Sequence, residues 1–126
     1  MTETIERRKE KRLYCRWPIW CAEGFGKTLY HGEMLNISSG GVAFTCQIDR
    51  NFPQPGQQLT IQFSVPRLGS EDASDMTIFT RISRVRRIDA MDKTLNSIAV
   101  QFDEPLPFKP AKLAAVNQML SQTEKP

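Results

Sequence analysis

Residues 59–65 read Leu-Thr-Ile-Gln-Phe-Ser-Val, and this stretch decides the fold class. Its apolar residues are Leu59, Ile61, Phe63 and Val65, with one polar residue between each pair. Strict alternation of this kind is typical of a β-strand with one buried face and one face in water. The stretch therefore predicts that the chain builds its core from strands.

Five further segments have the composition of strands, and loops rich in glycine, proline or polar residues separate them. They are residues 13–22, 27–37, 42–48, 76–88 and 97–102. Six short antiparallel strands close most economically into a barrel, because closure removes the exposed strand edges. After three prolines, residues 111–120 carry apolar side chains at helical spacing and predict one C-terminal α-helix.

For the long segment 76–88, the sequence also predicts which residues face the core. We expect Ile78 and Ile82 to point into the core, followed by a break in register before Val85 or Ile88. The fold class is thus all-β in the main: a six-stranded antiparallel barrel with an N-terminal arm and a C-terminal helix.

The chain has 126 residues, which is one domain's worth. Residues 1–12 contain a single large apolar residue, Ile5, and predict a flexible basic arm. Residues 13–104 form the predicted barrel, and residues 105–126 the C-terminal helix and tail.

The cellular compartment is predicted from two features that the sequence lacks and from its cysteines. No apolar stretch approaches the ~18 residues of a membrane span, and the N-terminus has no apolar segment typical of a secretory signal. Three cysteines, Cys15, Cys21 and Cys46, suit a reducing cytoplasm as buried or half-buried free thiols. With His31 as the only histidine and no zinc-ligand spacing, we expect neither a metal site nor a cofactor.

The net charge is +3, and its distribution says more than its size. Two segments are strongly basic. The first contains Arg7, Arg8, Lys9, Lys11, Arg12 and Arg16, and the second contains Arg81, Arg84, Arg86 and Arg87. Two basic clusters on one small domain indicate an anionic partner: a nucleotide, a nucleic acid or an acidic protein surface.

Two short motifs are candidates for a binding site. Arg8 and Arg12 form an RxxxR spacing, in which two guanidinium groups can converge on one anion. Residues 36–41 read Asn-Ile-Ser-Ser-Gly-Gly, and in a strand Ile37 faces the core while the polar residues on either side of it face outward. Gly40 and Gly41 would allow positive φ and a close backbone approach. Taken singly, these motifs are better explained as a basic tail and a hairpin turn.

Together, the two motifs on a barrel pattern resemble the PilZ domain family over nearly the whole chain. The family pattern, RxxxR followed by (D/N)xSxxG, is met by Arg8, Arg12, Asn36, Ser38 and Gly41. Residues 97–102 are similar to the family's last strand, although Ser and Ala stand where the family has glycines.

The resemblance implies a receptor for the bacterial second messenger cyclic di-GMP. Arg8 and Arg12 would clamp phosphates and guanine, and Asn36 and Ser38 would contact a guanine base, with Gly41 shaping the turn. An arginine directly before RxxxR, here Arg7, implies a stacked pair of ligands. On the long strand, Arg84 is a further candidate for packing on a base.

The predicted role is a stand-alone cytoplasmic adaptor whose arm is ordered by cyclic di-GMP and then controls a downstream protein partner. Motility, biofilm formation and related processes lie within the family's range. Two alternatives stay open: a small basic OB-like barrel that binds single-stranded nucleic acid, and a PilZ-like protein-interaction module without ligand. An enzyme is not expected, because the sequence has no phosphate-binding glycine loop and no recognisable catalytic triad.

Overall fold

The computed structural model describes residues 10–24, 26–47, 53–66, 76–92 and 94–115. Its six strands are β1 (Pro18–Ala22), β2 (Tyr30–Ser38), β3 (Gly41–Gln47), β4 (Gln58–Pro66), β5 (Met76–Ala90) and β6 (Leu95–Phe102). A short helix, α1, covers residues 110–115. The rest of the expected C-terminal helix, 116–120, lies outside the described residues.

The strands form a closed barrel in the order β1-β2-β3-β6-β5-β4, and every neighbouring pair is antiparallel. The predicted fold class is therefore confirmed. Since β3 pairs with β6 as well as with β2, the turn between β2 and β3 lies beside the C-terminal end of β6, where Gly41 pairs with Gln101.

The core confirms the alternation that predicted the fold. All four apolar residues of 59–65 are buried inside the barrel. Phe63 stacks with Phe79 and with Phe102, at ring-centroid distances of 5.8 and 5.9 Å. Strands β4, β5 and β6 are thereby joined through one aromatic cluster.

The inward face of β5 differs from the prediction. Ile78 and Ile82 are 61% and 38% exposed, so the expectation that they point into the core was wrong. Up to Val85 the inward positions are the odd ones, because Phe79 lies opposite Phe63 of β4 and Val85 is buried, whereas beyond it Ile88 packs against the core. Pairing with an aromatic residue of the neighbouring strand sets the register, and this pairing leaves Ile78 and Ile82 outside.

Strand β2 contains a bulge at the start of the Asn36–Gly41 segment. Met34 pairs with Phe44 and Asn36 with Ala43, which leaves Leu35 as an extra residue. The bulge lets Met34 and Ile37 both point into the core although they stand three residues apart.

The segment after β6 closes one end of the barrel. Leu106 and Pro110 are buried, and the Phe108 ring packs on Phe79 with 5.4 Å between centroids. Leu113 of α1 is half-buried against the core. Nowhere in the described ranges is a helix long and apolar enough to cross a membrane.

The three cysteines are free thiols, as expected. Cys21 and Cys46 are buried in the core, and Cys15 is half-buried, with its thiol donating to the Met34 sulfur at 3.5 Å. Burial raises the pKa of Cys15, so its thiol is a poor nucleophile near neutral pH. The described residues include no group of His, Cys, Asp and Glu that could hold a metal ion.

Candidate functional site

The turn between β2 and β3 presents polar groups on a fixed backbone. Ile37 is fully buried, whereas Asn36 and Ser38 on either side of it are half-buried, as the alternation predicted. Across the turn, the Leu106 N–H donates to the Ser39 carbonyl and the Phe102 N–H to the Gly40 carbonyl, both at 2.8 Å. These bonds hold the turn against β6 and the segment that follows it.

The two glycines of the turn have different roles from those expected. Neither Gly40 nor Gly41 has positive φ, so that expectation was wrong; the described glycines that do are Gly26 and Gly56. Gly41 is needed for space, because a Cβ there would overlap the Val100 carbonyl oxygen of β6. A Cβ at Gly40 would meet no atom within 4 Å.

The last residues of the basic arm lie against the turn. Leu13 and Ile37 exchange two backbone hydrogen bonds of 2.8 and 2.9 Å. One residue earlier, Arg12 Nη1 donates to Asn36 Oδ1 at 3.0 Å. The two sequence motifs thus meet in space at Arg12 and Asn36. Arg7 and Arg8 lie outside the described residues.

Glu10, which stands inside the RxxxR spacing, also contacts the turn. Its carboxylate accepts hydrogen bonds from the Ser39 N–H and the Ser39 hydroxyl, each at 2.6 Å. Sequence reasoning missed this residue, since a lone glutamate in a basic stretch indicates nothing by itself.

A groove of about 580 Å³ opens between the arm, the turn, β5 and β6. Three of the predicted residues line it: Arg12, Ser38 and Gly41. Its remaining lining comprises Glu10, Ser39, Gly40, Val42, Arg86, Ala99, Val100 and Gln101. Asn36 does not line the groove. It is connected to the groove by its hydrogen bond with Arg12.

Arg86 reaches the groove because of a second bulge. Val85 pairs with Val100 and Arg87 with Ala99, which leaves Arg86 as an extra residue of β5. The break in register predicted for this strand is thereby confirmed. Bulges commonly re-aim a side chain beside a binding site, and the residue at this one, Arg86, lines the groove.

Arg86 is the one arginine of β5 with no hydrogen bond or ion pair to the described part of the chain. Arg81 donates to the carbonyls of Glu104 and Thr80, and Arg87 pairs with Asp89 at 2.8 Å. A cation left unpaired on a groove wall is available to an anionic ligand.

Arg84 lies beside the groove and does not line it. Its guanidinium donates to the Gly56 carbonyl at 3.0 Å. It borders a smaller neighbouring cavity of about 250 Å³ that shares Arg86 and Gln101 with the groove. A ligand-binding role for Arg84 stays a prediction.

The groove has the size and the chemistry of a site for an anion with planar groups. Its volume lies within the range of about 300–1,000 Å³ that small-molecule pockets occupy. Arg12 and Arg86 supply charged, planar donors, and Ser38 a hydroxyl. Ala99 and Gly41 also line the groove, and because they are small they occupy little of its space.

Comparison with known proteins identifies a family and solved structures of similar fold. The family model for the PilZ domain matches residues 6–114. A solved structure of Bacillus subtilis inhibitor of motility (MotI/DgrA) is similar with a TM-score of 0.60 and 18% identity. The match covers 94% of this chain and 51% of that one, so this chain spans about half the length of that relative. No curated protein matches.

Proposed function

Since the chain belongs to the PilZ domain family, we propose that it is a cytoplasmic receptor for cyclic di-GMP. The ligand binds in the groove between the arm, the turn and β5. Its binding orders the start of the arm, residues 1–9, and creates a surface that a downstream protein partner recognises.

One observation carries the proposal: Arg12 and the turn Ser38–Gly41, which begins 26 residues later in the sequence, line the same groove. Neither motif alone indicated a ligand, because a basic tail and a hairpin turn are both common. Their convergence on one cavity of sufficient size supports a shared binding role.

The side chains of the groove suit the ligand's chemistry. Cyclic di-GMP carries two phosphates and two guanines. A guanidinium donates two parallel hydrogen bonds to phosphate oxygens or to the O6 and N7 acceptors of guanine. Arg12 and Arg86 take these roles in the proposal, while Ser38 and the Asn36 amide bond to a guanine.

Two further residues complete the proposed site. Arg8 joins Arg12 in clamping phosphate, and Arg7 stabilises a second, stacked ligand molecule. Both precede the described residues, and their roles rest on the family pattern.

The proposed downstream role is regulation through a protein contact. The solved structural relative is named inhibitor of motility. Control of motility or of biofilm formation by a ligand-ordered arm is accordingly the process that we propose. A pull-down with and without cyclic di-GMP identifies a partner that depends on the ligand.

Calorimetric titration of the whole chain with cyclic di-GMP tests the proposal. We expect saturable binding with two ligands per chain, and no binding of cyclic di-AMP, whose adenines lack the O6 acceptor. A gel shift with single-stranded nucleic acid, without cyclic di-GMP binding, would favour the nucleic-acid alternative. Absence of both would favour a protein-interaction module without ligand.

The variant Arg86→Ala is expected to bind cyclic di-GMP about ten-fold more weakly, because a charged donor to phosphate or guanine contributes about 1–3 kcal/mol. Calorimetry measures the loss. Arg84→Ala is the matched control, since it removes the same charge from a side chain engaged with Gly56. A greater loss in Arg84→Ala than in Arg86→Ala would assign the ligand contact to Arg84.

A further inference from the structure

Glu10 is a carboxylate on the wall of a groove proposed to bind an anion, and its position requires an explanation. Both of its oxygens are engaged by one residue, through the Ser39 N–H and hydroxyl at 2.6 Å each. Hydrogen bonds to a charged acceptor are the strong class, and this pair is partly shielded from water. Glu10 therefore fixes the arm to the turn.

The end of the arm is held at two points, Glu10 and the adjoining Leu13, with Arg12 between them. Glu10 bonds to Ser39, and Leu13 exchanges two backbone bonds with Ile37. The Arg12 contact with Asn36 is exposed to water, and a single exposed contact contributes little. The position of the Arg12 guanidinium thus depends on the two anchors.

The turn itself does not depend on Glu10. The Ser39 carbonyl accepts from the Leu106 N–H and the Gly40 carbonyl from the Phe102 N–H, and neither donor belongs to the arm. Loss of the Glu10 carboxylate consequently removes one of the two anchors of the arm and leaves the turn in place.

From this geometry we propose that Glu10 is a positioning residue: it holds residues 10–13 on the barrel before ligand arrives and so presents Arg12 to the groove. The inference rests on the proposed function. A segment that is already ordered loses less conformational entropy when ligand binds, and this strengthens binding. Glu10 acts through Arg12 and touches no ligand.

A contrary role for Glu10 predicts the opposite result. If its carboxylate occupied Ser39 donors that the ligand phosphate needs, removing it would tighten binding. The sign of the affinity change in Glu10→Ala separates the two roles.

The test pairs a measurement without ligand and one with ligand. In Glu10→Ala without ligand, we expect amide hydrogen exchange at Leu13 to become about ten-fold faster, because one anchor of the arm is lost. Exchange at Ile98 in the core should not change, which distinguishes release of the arm from general destabilisation. Calorimetry with cyclic di-GMP should show affinity weakened about five-fold.

Glu23→Ala is the matched control, since Glu23 is exposed and lies outside the groove. It removes the same charge and should change neither quantity. Ser39→Ala keeps the backbone donor and should give a smaller effect than Glu10→Ala. Unchanged or tighter binding in Glu10→Ala overturns the positioning role alone. Absence of binding by the wild-type chain overturns the proposed function and this inference with it.

Discussion

Replacing Gly41 with alanine is expected to lower the free energy of unfolding by about 3 kcal/mol, the upper end of the usual range for overpacking. The new Cβ would overlap the Val100 carbonyl oxygen of the paired strand. No flexible side chain can give way, because the obstacle is backbone that is hydrogen-bonded into the barrel. Either β3 and β6 separate at this end, or the turn is displaced.

Denaturant unfolding measures the loss, and the thermal midpoint should fall by roughly 10 °C for a domain of this size. Gly40→Ala is the control: it makes the same change one residue earlier, where the Cβ meets no atom within 4 Å and φ is not positive. Its stability should stay within about 0.5 kcal/mol of the wild type. Equal destabilisation by the two variants would contradict the assignment of Gly41 to the close approach of β6.

The Gly41 result bears on how much of the fold the sequence could predict. The six strands and their closure followed from alternation, which is a local property, and β4 shows it most clearly at Phe63. The reason for Gly41 is the approach of β6, some sixty residues later in the chain. A glycine in a turn suggests positive φ from local sequence alone, and that suggestion was wrong here.

Register is the second property that local sequence left open. Strand β5 has apolar residues on both faces, so alternation could not decide between Ile78 and Phe79 for the core. The pairing of Phe79 with Phe63 decided it. A break in register was expected, but a bulge is defined by the partner strand, and only the pairing with β6 places the extra residue at Arg86.

The candidate site likewise contains residues that local sequence predicts and residues that it does not. Arg12, Asn36, Ser38 and Gly41 came from motifs, and the structure brings all four to one place. Arg86 and Glu10 were not found, because each depends on a contact between distant segments. By strand alternation, Arg84 and Arg86 would face the same side of β5, so the sequence cannot choose between them. In the folded chain they differ, because the Gly56 carbonyl accepts a hydrogen bond from Arg84.

Replacing Arg12 with alanine is expected to weaken cyclic di-GMP binding by about 100-fold, or about 2.7 kcal/mol. Arg12 is the described residue of the RxxxR motif that lines the groove, and its guanidinium is already directed toward Asn36. Since the side chain is exposed, the folded barrel does not depend on it, and the thermal midpoint without ligand should be unchanged. Calorimetry on the wild type and the variant measures the effect.

Two further variants distinguish a specific contact from general attraction between charges. Arg16→Ala removes the same charge four residues later, from an exposed side chain paired with Glu33 outside the groove. It should leave the affinity within about two-fold of the wild type, because exposed charges are screened by salt. Arg12→Lys keeps the charge and loses the planar fork, and should recover only part of the affinity. Equal losses in Arg12→Ala and Arg16→Ala would show that the arm attracts anions without recognising one, which is the behaviour expected of a nucleic-acid-binding barrel.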